Sequence, residues 1–133
     1  MAKRCAVQYL DGGLNTIKTG VGAVGPVTKM VVLSAEPTTF AEANVTFNLA
    51  QVTVAGADFT IANGDGAGTT PRKVTVGAKS GVSVTASGTA THVGWLDVTN
   101  SLVLLVTTCT SQGLTSGNTV NIPAFKSEFG APT

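Results

Sequence analysis

Residues 91–109 read Thr91-His92-Val93-Gly94-Trp95-Leu96-Asp97-Val98-Thr99-Asn100-Ser101-Leu102-Val103-Leu104-Leu105-Val106-Thr107-Thr108-Cys109. Two apolar-rich runs flank Thr99-Asn100-Ser101, a polar triplet rich in turn-forming residues. The pattern predicts a β-hairpin with strands from Thr91 to Val98 and from Leu102 to Cys109. Leu102 to Val106 is apolar at both parities, which predicts cover on both faces and the most central place in a sheet. Trp95, the single Trp, is expected to anchor a core or a subunit interface from its strand.

The same strand grammar extends in both directions. Val27 to Ser34 is a strand whose Met30, Val31, Val32 and Leu33 are consecutive, so both faces should be covered. Pro37 stops it, and Thr38 or Thr39 could cap one helical turn carrying Phe40. Val45, Phe47 and Leu49 share one parity, whereas Ala50, Val52 and Val54 share the other. That shift predicts a β-bulge or break near Leu49-Ala50. Further alternation marks Ala57 to Ile61, Val74 to Ala78, Val82 to Ala86 and Thr119 to Ile122, the last closed by Pro123. Short strands at close, regular spacing predict an all-β fold, an antiparallel β-sandwich or jelly-roll-like barrel.

The N-terminal segment reads differently. Ala6, Leu10, Leu14 and Ile17 share one helical face, although Gly12 and Gly13 each cost about 1 kcal/mol relative to Ala. A short helix or arm is expected, needing a surface to dock on, either its own domain or a neighbouring subunit. Three glycines and Pro26 in residues 19–26 predict a linker. The expected division is therefore residues 1–26 as arm and linker, and 27–133 as the sheet-built body. After Pro123, Phe125 and Phe129 could clip the tail to the core or to a partner.

Totals narrow the function. Charged residues are 11% of the 133, against about 25% in typical soluble domains. The net charge is +1 and the eight cations are scattered, with Arg72-Lys73 the densest internal pair. Nucleic-acid binders show a basic stripe instead, so none is expected as a partner. A surface of Thr, Ser, Asn and Gly desolvates easily, which suits a subunit packed among neighbours. Cys5 and Cys109 make no disulfide framework. Met1 to Arg4 is basic but no apolar run of signal-peptide length follows, and no stretch is long enough to span a bilayer. Synthesis in the cytoplasm is expected.

Reactive groups are few. His92 could pair with Asp97 and a Ser in a hydrolase triad, but no G-x-S-x-G elbow accompanies it. Asn63 to Gly68 resembles part of a calcium loop, yet Asp65 is its one carboxylate. A hairpin tip fits it better. Gly64, Gly66 and Gly68 lack the Gly-Lys-Ser/Thr of a phosphate loop. No catalytic residue, metal site or cofactor is expected.

Six segments, in order, resemble a family of small structural proteins from tailed bacteriophages. They are residues 9–18 from Tyr9 to Lys18, 32–43 from Val32 to Ala43, 58–65 from Asp58 to Asp65, 72–76 from Arg72 to Val76, 87–92 from Ser87 to His92, and 106–110 from Val106 to Thr110. The likeness spans most of the chain and lies in segment order rather than in a mechanistic motif. It implies a virion protein: a capsid decoration (cement) protein that binds the major capsid protein lattice, or an accessory part of the tail or fibre. The family has Ala-like residues where Gly12 and Gly13 stand, and the Gly-Pro linker and the loop from Gly66 to Pro71 look like insertions. On this reading the chain binds copies of itself, as a homotrimer first and a dimer second, and the capsid surface, with no small-molecule substrate. Tyr9, Leu10, Leu14 and Ile17 of the arm are the first candidates to grip a neighbour, and Phe125 and Phe129 the second.

Overall fold

The computed structural model describes residues 7–65 and 71–130, with side chains from Asp11 onward. In chain order the elements are α1 (Val7–Thr19), β1 (Lys29–Leu33), a π-helical turn (Glu42–Thr46), β2 (Asn48–Thr53), a 3-10 turn (Gly56–Asp58), β3 (Phe59–Asn63), β4 (Arg72–Val76), β5 (Lys79–Ser83), β6 (Gly88–Asp97), β7 (Leu102–Leu114), β8 (Thr119–Ile122) and β9 (Phe125–Phe129). Every strand pairing is antiparallel. The fold is all-β, as the alternation predicted.

One layer is the sheet β2-β1-β6-β7. Its two middle strands are apolar on both faces because both faces are covered. Met30 and Val32 join the main core with Val93 and Trp95. Val31 and Leu33 join a second cluster with Leu96 and Ala43, roofed by Phe40 and Phe47. The cap foreseen at Thr38 and Thr39 holds that roof. Thr39 Oγ1 accepts the Glu42 amide, and the Glu42 carboxylate accepts the Thr38 and Thr39 amides at 2.7 and 3.1 Å. The predicted bulge is present: Val32 faces Ala50 but Leu33 faces Asn48, leaving Leu49 as the extra residue.

The predicted hairpin is β6 and β7, but β7 is not the central strand. It is the edge of its sheet. Its two-sided apolarity has other causes. Val103 and Val106 lie under the Phe40–Phe47 roof. Leu104 is a bulge residue between the pairs Trp95↔Leu105 and Leu96↔Val103, so Leu104 and Leu105 both reach the main core.

The other layer is a bent ribbon. Val76 pairs with Phe125, and three residues on Lys79 pairs with Ile122. The β4–β9 ladder therefore continues into β5–β8 across a kink at Gly77-Ala78 and Pro123-Ala124. β9 was not read as a strand from the sequence. Between the layers Trp95, fully buried, meets Phe59 edge-on at 5.3 Å and stacks on Phe125 at 5.1 Å. These aromatic contacts across the layers define a β-sandwich with one principal core.

The N-terminal helix belongs to that core. Leu14 is 1% exposed, and Ile17 packs beside it. Asp11 receives a bidentate hydrogen-bonded ion pair from Arg72 (2.7 and 3.1 Å), tying α1 to the first residue of β4. Gly13 has a packing role: a Cβ there would lie 3.0 Å from the Phe129 ring, whereas Gly12 faces open space. Gly20, at φ 73°, ends the helix in the left-handed conformation, its amide bonded to the Thr16 carbonyl. Residues 19–26, read as a loose joint, are pinned instead: Val27 N–H donates to the Ile17 carbonyl at 2.8 Å, and Gly25 N–H donates to Asp97.

Candidate docking site

The two layers are joined along one side and part along the other. On the joined side Ala50 of β2 bridges to Val84, just past β5, and the Thr85 amide donates to the Leu49 carbonyl at 2.8 Å. On the other side β7 and β8 run out of one tight turn, where Asn118 N–H donates to the Thr115 carbonyl. Two strands leaving such a turn ordinarily pair as a hairpin. Here β7 pairs with β6 and β8 with β5, and among the described residues each leaves its second edge unpaired.

Between them lies a cleft of about 70 Å³. Its floor is Val32, Ala90, Val93 and Ile122, all buried side chains of the main core. Cys109 of β7 forms one wall, and Val120, Asn121 and Pro123 form the other. Among the described residues the cleft's lining holds no charge. Its one ionisable group is the Cys109 thiol, which burial pushes up, so it stays protonated near neutral pH. What the site offers is shape, apolar surface and unpaired strand edge.

Local contacts keep it open. Ser116 N–H donates to Ser87 Oγ at 2.9 Å, and Ser116 Oγ donates to the Thr85 carbonyl at 3.2 Å. Gly117, at φ 91°, donates its amide to Val84. The turn is thereby tied to residues 84–87, on the side away from β7. Pro123, at the end of β8, has no N–H to offer a neighbour.

The acidic side chains hold the frame. Asp58 takes Lys79 Nζ and the Ala55 amide. Asp65 bridges Lys73 and Lys126, and Lys126 also meets Glu128. Asp97 is fully buried, and among the described residues it forms no ion pair. Its Oδ2 accepts Gly25 N–H and Asn100 Nδ2–H, both at 2.7 Å, and its Oδ1 accepts Asn100 N–H at 3.2 Å. Burial pushes this carboxyl up, but these donors and the Thr99 amide together outweigh it, so its pKa lies below the ordinary Asp value. A Cβ on residue 25 would stand 2.7 Å from Oδ2, which is why Gly is there.

The side chains expected to grip a neighbour are distributed unevenly. Tyr9 and Leu10 fall on the helix, and their side chains lie outside the described residues, as does Cys5. Leu14 is buried in the chain's own core and so is not free to grip a neighbour, and Ile17, partly buried, packs against the same core. Phe125 is half-buried against Trp95, and Phe129 is 42% exposed beside Gly13. The tail thus clips to its own fold. His92 sits five residues from Asp97 on β6, with the opposite strand parity, which forbids a triad. Its Nδ1 shares a 2.9 Å hydrogen bond with Thr91 Oγ1, which donates to the Ser34 carbonyl. The cleft was not foreseen, because it is made by residues from β1, β6, β7 and β8 that no local pattern unites.

Comparison of the chain with protein-family models, with curated proteins and with solved structures returns no match in any of the three.

Proposed function

We propose that this chain is a structural protein of a tailed-bacteriophage virion, a decoration protein that binds the major capsid protein lattice and stabilises the head. The resemblance of the six segments supplies the setting. The observation that carries the reading is the use made of the acidic groups. Asp11, Glu42, Asp58, Asp65 and Asp97, five of the seven in the chain, each tie one piece of backbone or one strand to another. Chemistry devoted to stiffness suits a body that acts by shape and adhesion. The uncharged cleft and open edges give such a body a surface that desolvates at low cost.

Copy number is the test. Purified particles are run on a gel and the band of this chain is measured against the major capsid protein. Decoration requires hundreds of copies per particle. A handful would refute it in favour of a tail or fibre part.

A further inference from the structure

We propose that the seam between β7 and β8 receives an extended, uncharged segment of a partner protein, which adds as a strand to the open edge of β8 and seats one small aliphatic side chain in the cleft. The two layers are joined along β2 and β5 but, among the described residues, leave an unpaired edge on both β7 and β8, so an added strand would find backbone partners there.

The choice of edge follows from register. On β7, Gln112 pairs with Ala90 and Thr108 with His92, so residues 109–111 stand against Thr91 alone. That bulge bends β7 away from straight pairing. The irregularity of the β5–β8 ladder lies on β5, where Ser80-Gly81 stand against Asn121, so β8 itself carries no extra residue, and it has no ionisable side chain from Thr119 to Ile122. Strand addition uses main-chain hydrogen bonds for affinity and alternate side chains for specificity. A water needs about 10–15 Å³ by the same measure, so 70 Å³ gives room for a side chain of Val size.

Charge selects the occupant. With no carboxylate or cation among the described residues of its lining, the seam would leave a buried charge unpaired, at a cost of several kcal/mol. The chain's own residues 1–6 carry Lys3 and Arg4 and do not match. An uncharged segment alternating Val with Thr or Ser does. The inference rests on the proposed function only in taking the partner to be a neighbouring virion subunit.

The test uses the full chain bearing Cys5→Ser and a fluorescein-labelled peptide, Ser-Thr-Val-Thr-Val-Thr-Ser, followed by fluorescence anisotropy. Saturable binding is expected. Capping Cys109 with methyl methanethiosulfonate, which fills the cleft with a methylthio group, should weaken it at least about tenfold, or 1.4 kcal/mol. Thr110→Lys on the exposed rim should do the same, as should Lys in place of both Val in the peptide. No saturable binding, or binding unaffected by capping and by Thr110→Lys, overturns the proposal. If capping instead dissociates an oligomer of the free chain, the occupant is a second copy and the assignment to a partner falls. Empty capsids separate the two readings. A chain that binds peptide but never capsids sinks the decoration role alone. Capped protein that decorates capsids as well as uncapped protein sinks the seam alone.

Discussion

Replacing Asp97 by Asn should cost this fold about 2–4 kcal/mol. The carboxylate, without solvent contact, accepts Gly25 N–H and Asn100 Nδ2–H on one oxygen and Asn100 N–H on the other. An amide has one acceptor and presents two N–H donors in place of the second. Whichever way it is turned, its NH2 confronts at least one donor, and the surviving oxygen loses its charge. A hydrogen bond to a charged group is worth about 1.5–3 kcal/mol, and an orphaned buried donor costs about 1–3. The exposed Asn100 side chain can turn to water, which removes part of the penalty and gives the range above. Against a total stability of about 5–15 kcal/mol, the loss should lower Tm by about 10 °C. Urea denaturation followed by Trp95 fluorescence and by circular dichroism measures it. The pH dependence is a second reading. Because the folded pKa lies below the unfolded value of 3.8, Asp97 stabilises fully above that value and its contribution fades as pH falls through the lower folded one. The parent should therefore lose stability below about pH 4 more steeply than Asp97→Asn. A variant within about 0.5 kcal/mol of the parent, with an unchanged acid slope, would refute the argument that this carboxylate clamps the 20–26 segment to the β6–β7 turn.

Three further outcomes can be checked with the same melts. Gly12→Ala should stabilise by up to about 1 kcal/mol through helix propensity, whereas Gly13→Ala should gain nothing, because its Cβ meets Phe129 at 3.0 Å; equal gains at both would refute the contact. Asp65, held down to about 2 by hydrogen bonds from Lys126 first and Lys73 second, stabilises above its unfolded value of 3.8 and loses that contribution as pH falls to about 2. Asp65→Asn should flatten this slope, and added salt should shrink the difference, since the side chain is 61% exposed. Finally, Val31→Asp on a central strand should abolish folding, while Leu104→Asp on the half-exposed edge strand should leave a weakened but cooperative domain; the reverse order in cooperative melting would restore β7 to the middle of its sheet.

The strands whose side chains alternate against one core were legible because alternation is a local signal. Phe59 with Ile61, Val74 with Val76 and the bulge at Leu49 needed no knowledge of their partners. Strand order was not legible. Leu102 to Val106 reads as central because both parities are apolar, and only the fold shows that a bulge at Leu104 and the roof of Phe40 and Phe47 produce that pattern at an edge. β9 escaped because Ser127 stands between Phe125 and Phe129 on the inward parity, while Lys126 and Glu128 mark the other face. Gly13 read as a flaw in a helix because its reason, the Phe129 ring, lies at the far end of the chain. The seam had no signature at all.

That the seam is open follows from the same contacts that close the opposite side. For β8 to reach β7 with its free edge it would have to swing across the seam, either carrying β5 with it or breaking the Val82↔Val120 and Ser83↔Thr119 pairs. It would also have to free the 115–118 turn from Ser87, Thr85 and Val84. Those bonds form one connected corner with Ala50↔Val84, so a swing of β8 would open the joined side as it closed the parted one. Burying the cleft's apolar floor from within would therefore disturb the buried side chains of Leu49 and Val84. An added strand faces no such exchange. It supplies new backbone partners and new apolar cover without moving the corner, so closure of the seam comes at lower cost from another chain than from this one.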